Sequence, residues 1–428
     1  MFFERPDSGT RTLLVHVDRS NSDLASLGEL KELAESAGLN PAKSLVSNRR
    51  NPHPATFLGQ GKVLEIGALV RQYNLALVVF NTELTPSQER NLERACNVRV
   101  IDRTNLILQI FSQRARTHEG KLQVELAQLA HASTRLIRGW THLDRQKGGS
   151  GRGAGSTSGL AGAGETQLEA DQRLLNVRTR QVSSRLDKVR RQRNQNRRAR
   201  KRSDTKLVAL AGYTNAGKST LFNRLSSSNV LEADQLFATL DPTLRKVSIP
   251  MLGNIILSDT VGFLRQLPHS LVDAFRATLE EVSSADLILH VVDESAEFRL
   301  ERISEVESVL GEIGAFSIPT LLVYNKIDVS GAQGRLERDS SGRPVKAWVS
   351  ARAGSGLDLL QVAIAELLAE DLIETTIEIQ PHEGGLRSKL FALGAVLNER
   401  TDCSGVNHVQ LKIDRRDLDR IRRMELAK

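Results

Sequence analysis

Gly212, Gly217, Lys218 and Ser219 stand at a spacing suited to cradling phosphate: G-x(4)-G-K-S, behind the apolar run 207–210 and ahead of a helical pattern at 220–225. Glycine at 212 and 217 lets the chain turn back with its N–H groups inward, and the N-terminus of the next helix adds partial positive charge. Lys218 then reaches the β- and γ-phosphates, and Ser219 places its hydroxyl on a bridging Mg²⁺. The loop Gly212, Tyr213, Thr214, Asn215, Ala216, Gly217, Lys218, Ser219 and Thr220 is the candidate polyphosphate seat.

A second wall is written at Asp259, Thr260, Val261 and Gly262, after the strand-like run 254–258. Asp259 is expected to hold Mg²⁺ through a water, and the Gly262 amide to sense the terminal phosphate and be released when it leaves. Between the two walls, Phe237, Ala238, Thr239, Leu240 and Asp241 form a loop in which Thr239 is the candidate Mg²⁺ sensor. Thr243 is the alternate, and either threonine could merely turn or cap the backbone. Lys218, Thr239 and Gly262 are thus the catalytic candidates. Phe263 follows Gly262 where a water-orienting glutamine would serve hydrolysis, and a phenylalanine ring has no hydrogen-bonding group. Slow hydrolysis by the isolated chain, with strong stimulation by a partner, is expected.

The base is chosen by Asn325, Lys326, Ile327 and Asp328 at the end of the apolar run 320–324. The Asp328 carboxylate can accept from the ring N–H and exocyclic amine of guanine, whereas adenine would leave it unpaired. Lys326 can lie along the base plane, and Ser350, Ala351 and Arg352 form the last wall, with a backbone N–H from Ser350-Ala351 for the guanine carbonyl. GTP and GDP are the ligands these features imply, with Mg²⁺ as cofactor.

These walls need a parallel α/β sheet to hold them, and 428 residues leave room for roughly three domains. Residues 1–116 alternate short apolar runs with helical patterns, which predicts a small α/β domain. Gly59-Gln-Gly-Lys62 within it could bind an anion at a helix start, but reads better as a plain turn into a helix. Over 117–205, Leu122, Leu129 and Leu136, then Leu168, Leu175, Val182 and Val189, recur every seven residues and predict two antiparallel helices. The glycine-rich stretch 148–164 between them predicts a projecting tip. Residues 206–370 hold the nucleotide motifs, and 371–428 read as a small α+β appendage.

The net charge of +8 is uneven: 185–206 carries nine of its basic residues between Lys188 and Arg202, against Asp187 and Asp204. That density suits RNA phosphates or a solvated helix face. Arg138, Arg145, Lys147, Arg152, Arg190, Arg191, Arg193, Arg197 and Arg198 are the RNA-contact candidates. Cys96 and Cys403 are too few for a disulfide framework, no run approaches the about 20 apolar residues of a membrane span, and the N-terminus lacks an export pattern. A cytoplasmic location is expected. A nucleotide-regulated coiled-coil interaction protein is the alternative of another class.

Together with these motifs, SQERNLER at 87–94, RARTHEGKLQVELAQL at 114–129, RGWTHL at 138–143 and GETQLE at 164–169 resemble the HflX family of bacterial ribosome-associated GTPases over essentially the whole chain. The resemblance implies a multidomain α/β protein: an N-terminal α/β domain, a helical hairpin, a Ras-like P-loop GTPase domain and a small C-terminal α+β domain. It also implies binding to the large ribosomal subunit, splitting or rescue of stalled ribosomes in the GTP form, and ribosome-stimulated hydrolysis. Action in ribosome assembly is the alternative within the GTPases, and a monomer is expected. Family members are reported to hydrolyse ATP too, but no second nucleotide motif stands here. The tip departs from the family pattern: it is longer and ends Leu160-Ala-Gly-Ala-Gly-Glu-Thr166, without the usual proline and adjacent arginine.

Overall fold

The computed structural model describes residues 9–18, 24–48, 51–147, 167–202, 205–226, 236–237, 243–250, 252–264, 281–369, 372–380, 386, 390, 396–402 and 406–414. Ala238, Thr239, Leu240, Asp241 and Arg152 lie outside the described residues, as do the side chains of Arg138, Arg145, Lys147, Arg197 and Arg198.

Six successive buried residues in β1 (Arg11–Asp18) mark a strand covered on both faces. The covering comes from α1 (Leu24–Ser36), α2 (Gln60–Tyr73), α3 (Pro86–Cys96) and α4 (Arg103–Arg114), which alternate with β2 (Asn40–Asn48), β3 (Leu77–Phe80) and β4 (Arg99–Ile101). The four strands are parallel in the order β2-β1-β3-β4. Gly59 caps α2, as its turn-like sequence implies, and α3 starts on a Thr85–Gln88 capping box with Pro86 in its first turn. α4 is not announced by a regular apolar spacing in the sequence. Its residues 103–108, 110 and 111 are all buried, so cover on every side of its first turns blurs the amphipathic period that would announce a helix.

The arm consists of α5 (His118–Lys147) and α6 (Gln167–Arg202). They run antiparallel: Glu125 near the start of α5 meets Arg178 at 2.5 Å, and Glu119 meets Arg193, further along α6, at 3.1 Å. Their seam is Leu122, Leu129, Leu175, Val182 and Leu186. Leu186 rather than Val189 continues it, because packing helices alternate steps of four and three instead of keeping one seven-residue column. At its base the arm is fastened to the N-terminal unit. Arg135 of α5 bonds Asp102, the N-cap of α4, at 2.7 Å and also pairs with Glu89 of α3. Arg135 therefore belongs to this joint.

The seven-stranded sheet has the order β10-β11-β9-β8-β5-β7-β6. Its strands are β5 (Leu207–Gly212), β6 (Thr243–Ile249), β7 (Gly253–Asp259), β8 (Leu287–Asp293), β9 (Thr320–Asn325), β10 (Arg335–Arg338) and β11 (Pro344–Trp348). With them come α7 (Lys218–Ser226), α8 (Arg299–Glu312), α9 (Ile327–Ser330) and α10 (Leu357–Ala369). Among the described strands of this sheet, only the edge strands β6 and β10 are antiparallel to their neighbours. The chain leaves β5 for β7 on one side and reaches β8 on the other, so the topology reverses beside β5, where open α/β sheets bind ligands. The last described strands, β12 (Leu372–Ile379), β13 (Val396–Thr401) and β14 (Asn407–Asp414), form an antiparallel sheet over Ile379, Leu390, Val409 and Leu411. Among the described residues no helix is long and apolar enough to cross a membrane.

Candidate nucleotide site

β5 ends in Gly212 at φ +149°, where a Cβ would stand 2.2 Å from the Val291 carbonyl oxygen of β8. Gly217, at φ +85°, would place a Cβ 2.3 Å from Asn325 Nδ2. Both positions therefore demand glycine, one against backbone and one against a working side chain. Asn325 Nδ2 donates to the Ala216 carbonyl at 2.9 Å, and its Oδ1 accepts from Ala351 N at 2.9 Å. One amide thus ties the phosphate loop to the base-recognition loops.

Lys218 heads α7 with Nζ donating to the Tyr213 carbonyl at 2.7 Å. Burial pushes its ammonium down to about 8, with the Asp259 carboxylate opposing the shift. A polyphosphate entering the loop would restore the lost counter-charge. Burial, helped by the Lys218 charge, holds His290 of β8 at about 4, so that imidazole is neutral. The Thr214 hydroxyl is buried in the loop with no hydrogen-bond partner among the described residues, and phosphate oxygens would supply one. Ser219 Oγ donates to Asp259 Oδ2 at 2.7 Å. A hydroxyl and a carboxylate brought together beside a phosphate seat are the hard oxygen donors that Mg²⁺ takes, so these residues fit the ion.

Asp259 is fully buried at the end of β7, and Thr260 donates its hydroxyl to the Leu210 carbonyl at 2.5 Å, locking the second wall onto β5. Val261 and Gly262 continue it, and Phe263 pairs with the phosphate loop itself. Phe263 N donates to the Gly212 carbonyl at 3.1 Å and Thr214 N to the Phe263 carbonyl at 2.8 Å. The Phe263 ring is buried in the apolar cluster of Tyr213, Leu236, Phe237 and Leu264.

Two residues read as nucleotide contacts turn elsewhere. Phe237, at φ +55°, packs edge-on against Phe111 of α4 with ring centroids 4.5 Å apart, and Leu236 N donates to Ser36 Oγ of α1 at 3.0 Å. An apolar ring is drawn to this partner and not to a charged polyphosphate, which corrects its assignment to the nucleotide lining. Tyr213 keeps its backbone in the phosphate loop but sends its hydroxyl to Glu29 Oε2 of α1, donating at 2.8 Å. Glu29 is in turn paired at 2.5 Å with Arg103 of α4, and Arg302 of α8 lies over the Tyr213 ring at 4.9 Å. The N-terminal unit thereby touches the phosphate loop and the segment before Thr239. Glu29 and Arg103 are not legible in sequence patterns, since a buried charge pair between two helices more than seventy residues apart leaves no periodic trace. Tyr213→Phe is expected to cost about 1–2 kcal/mol of unfolding free energy in the wild-type background and almost none on top of Glu29→Ala, since the same bond is already gone. Urea denaturation of the four proteins measures it, and equal losses in both backgrounds would mean the bond contributes nothing.

At the base end, Ser350 Oγ donates to Asp328 Oδ1 at 2.6 Å and so orients the carboxylate. Lys326 sits at φ +66°, and Ile327 is buried beneath it. The backbone N–H groups assigned to the guanine carbonyl are already engaged: Ser350 N donates to the Ser355 carbonyl at 2.9 Å and Ala351 N to Asn325. A guanine carbonyl would have to share the Ala351 N–H with Asn325, a correction made by the tightness of this turn. Arg352 is exposed, and its carbonyl accepts from Arg224 at 2.6 Å. Asn215 and Gly217 line the rim of the loop, and Thr220 follows Ser219 into α7.

On the arm, Arg191 is exposed, while Arg190 has Asp187 at 3.8 Å and Arg193 is held by Glu119. Arg193 therefore braces the hairpin and is not turned outward as an RNA contact should be.

Three family models match the chain: GTP-binding GTPase N-terminal over residues 24–112, GTP-binding GTPase Middle Region over 114–200, and 50S ribosome-binding GTPase over 207–326. The chain is 49% identical to the GTPase HflX of Escherichia coli strain K12 over 428 residues, covering 99% of this chain and 98% of that protein. It is 44% identical to the GTPase HflX of Magnetococcus marinus over 375 residues, 87% of this chain and 85% of the relative. Among solved structures, the complex of SsGBP with GDP aligns over 84% of this chain and 99% of its own, at 23% identity and a TM-score of 0.48.

Proposed function

The chain belongs to the HflX family of GTPases and is a GTP-hydrolysing enzyme, and from that premise we propose that it acts on the large ribosomal subunit. In its GTP form it grips rRNA with the arm and separates or rescues stalled ribosomes, and the ribosome stimulates hydrolysis. The observation that carries this reading is the joining of the two recognition loops through Asn325 in a domain linked by Tyr213 to the unit that holds the arm. The residues divide the work. Backbone N–H groups of 213–218 and the Lys218 ammonium seat the polyphosphate, Asp328 selects guanine, and the Gly262 amide meets the terminal phosphate. Magnesium, held by Ser219, by Thr239 and through a water by Asp259, would supply positive charge to the phosphate oxygens as the bond breaks. Phe263 cannot orient the attacking water, so that role falls to the partner or to groups its contact orders. The setting is the cytoplasm, with the protein acting as a monomer.

The test is the GTPase rate with and without purified large subunits. Stimulation by about a hundredfold is expected, falling steeply as salt is raised, because phosphate contacts by basic residues release counterions. Rapid turnover indifferent to subunits would defeat the proposal. Sedimentation of intact ribosomes with a non-hydrolysable analogue then separates the readings: a splitting factor yields subunits, an assembly factor does not.

A further inference from the structure

We propose that Asp293 is a positioning residue for base recognition: by holding the Lys326 ammonium it sets the lysine stem in place for a guanine to lie against. The inference rests on reading Asn325, Lys326 and Asp328 as the base-selecting loop.

Asp293 is the last residue of β8 and stands in register with Asn325, the last residue of β9. Its Oδ2 lies 2.8 Å from Lys326 Nζ. Its other oxygen is occupied from a different direction, accepting from Ser295 N at 3.0 Å and Ser295 Oγ at 2.6 Å. Glu294 N donates to the Asn325 carbonyl at 2.9 Å, which closes the two strand ends on each other. The carboxylate is thereby fixed before it meets the lysine. The lysine is fixed at its other end as well. Its backbone adopts the left-handed conformation, φ +66° and ψ 34°, at the N-cap of α9, a strained choice for a side chain of this size. A long flexible stem pinned at both ends has lost its rotamer freedom before any ligand arrives, and that preorganisation favours binding. With side chains 29% and 15% exposed, the pair is half-sheltered from solvent screening. Asp293 lies outside all the nucleotide motifs, some thirty residues before the loop it serves, and its carboxylate oxygens are turned to Lys326 and Ser295.

The experiment compares Asp293→Asn, Lys326→Ala, Lys326→Met and the Asp293→Asn/Lys326→Ala double variant in the full chain, using a fluorescent GDP and GTP turnover. Asp293→Asn keeps an acceptor for Ser295 and removes only the charge that holds the ammonium. It is expected to speed GDP release and raise KM for GTP by about tenfold each, with kcat changing by less than about threefold. Lys326→Met, which keeps a stem but gives Asp293 nothing to hold, should lose about as much, and the double variant no more than Lys326→Ala alone. Wild-type GDP release in Asp293→Asn, or in Lys326→Met while Lys326→Ala loses affinity, overturns the proposal. Asp328→Asn is the control for the premise: if it leaves GDP binding intact, the base loop itself has been misplaced, a failure distinct from that of Asp293.

Discussion

Asp328→Asn should change which base the protein prefers, weakening GTP by roughly a hundredfold or more and making xanthosine triphosphate the better ligand. The direction follows from hydrogen-bond polarity. Ser350 Oγ donates to Asp328 Oδ1 at 2.6 Å, and an asparagine can keep that bond with its carbonyl oxygen. Its NH₂ then replaces the second carboxylate oxygen and points a donor at the exocyclic amine of guanine, which is itself a donor. Xanthine carries a carbonyl at that ring position and turns the clash into a bond. The phosphate seat lies at the other end of the ligand and is untouched, so triphosphate binding should survive with its base preference altered. Competition of GTP, xanthosine triphosphate and ATP against a labelled nucleotide measures the change. An Asp328→Asn protein that still chooses GTP would place the base somewhere other than beside residues 325–328.

What could be read from the chain alone was whatever depends on close spacing. Gly212, Gly217, Lys218 and Ser219 must follow one another because a single turn of backbone surrounds the phosphates, and the structure sets them at the end of β5 as that requires. The run ending at Asp259 and the one ending at Asn325 were legible for the same reason: each is a buried strand with chemistry at its carboxyl end. Contacts made across long separations were not. Asn325 was legible as part of a motif but not as the brace between Ala216 and Ala351. Phe237 was assigned to the nucleotide because of its nearness in sequence to Thr239, and Phe111 captured its ring instead. The helix that presents Phe111 is hard to see in the sequence, since the unbroken burial of residues 103–108 leaves its first turns without a polar face to set the period. Glu29, Arg103 and Asp293 are charges whose meaning comes wholly from their partners, and nothing local distinguishes them from other acidic and basic residues.

Gly262→Ala should separate the two nucleotides: GDP binding within about threefold of wild type, GTP hydrolysis down by about a hundredfold. The glycine is needed here for space, because its backbone is not in the left-handed region. A methyl at 262 would stand 2.7 Å from Thr214 Cγ2, 2.8 Å from Thr214 Cα and 3.0 Å from Lys218 Nζ. The threonine side chain could rotate and the lysine tip could move, but Thr214 Cα is backbone of the phosphate loop. That loop is held independently of the 262 segment, by Asn325 on the Ala216 carbonyl and by Lys218 on the Tyr213 carbonyl, so the segment bearing the new methyl is the part expected to yield. Displacing it carries the residue 262 amide away from the terminal phosphate, a group GDP lacks, while the N–H groups of the loop that seat the two remaining phosphates stay in place. Stopped-flow release of a fluorescent GDP and single-turnover GTP hydrolysis measure the two effects separately. Equal loss of both nucleotides would mean that the methyl distorts the loop itself, and undiminished hydrolysis would mean that Gly262 does not face the phosphate that leaves.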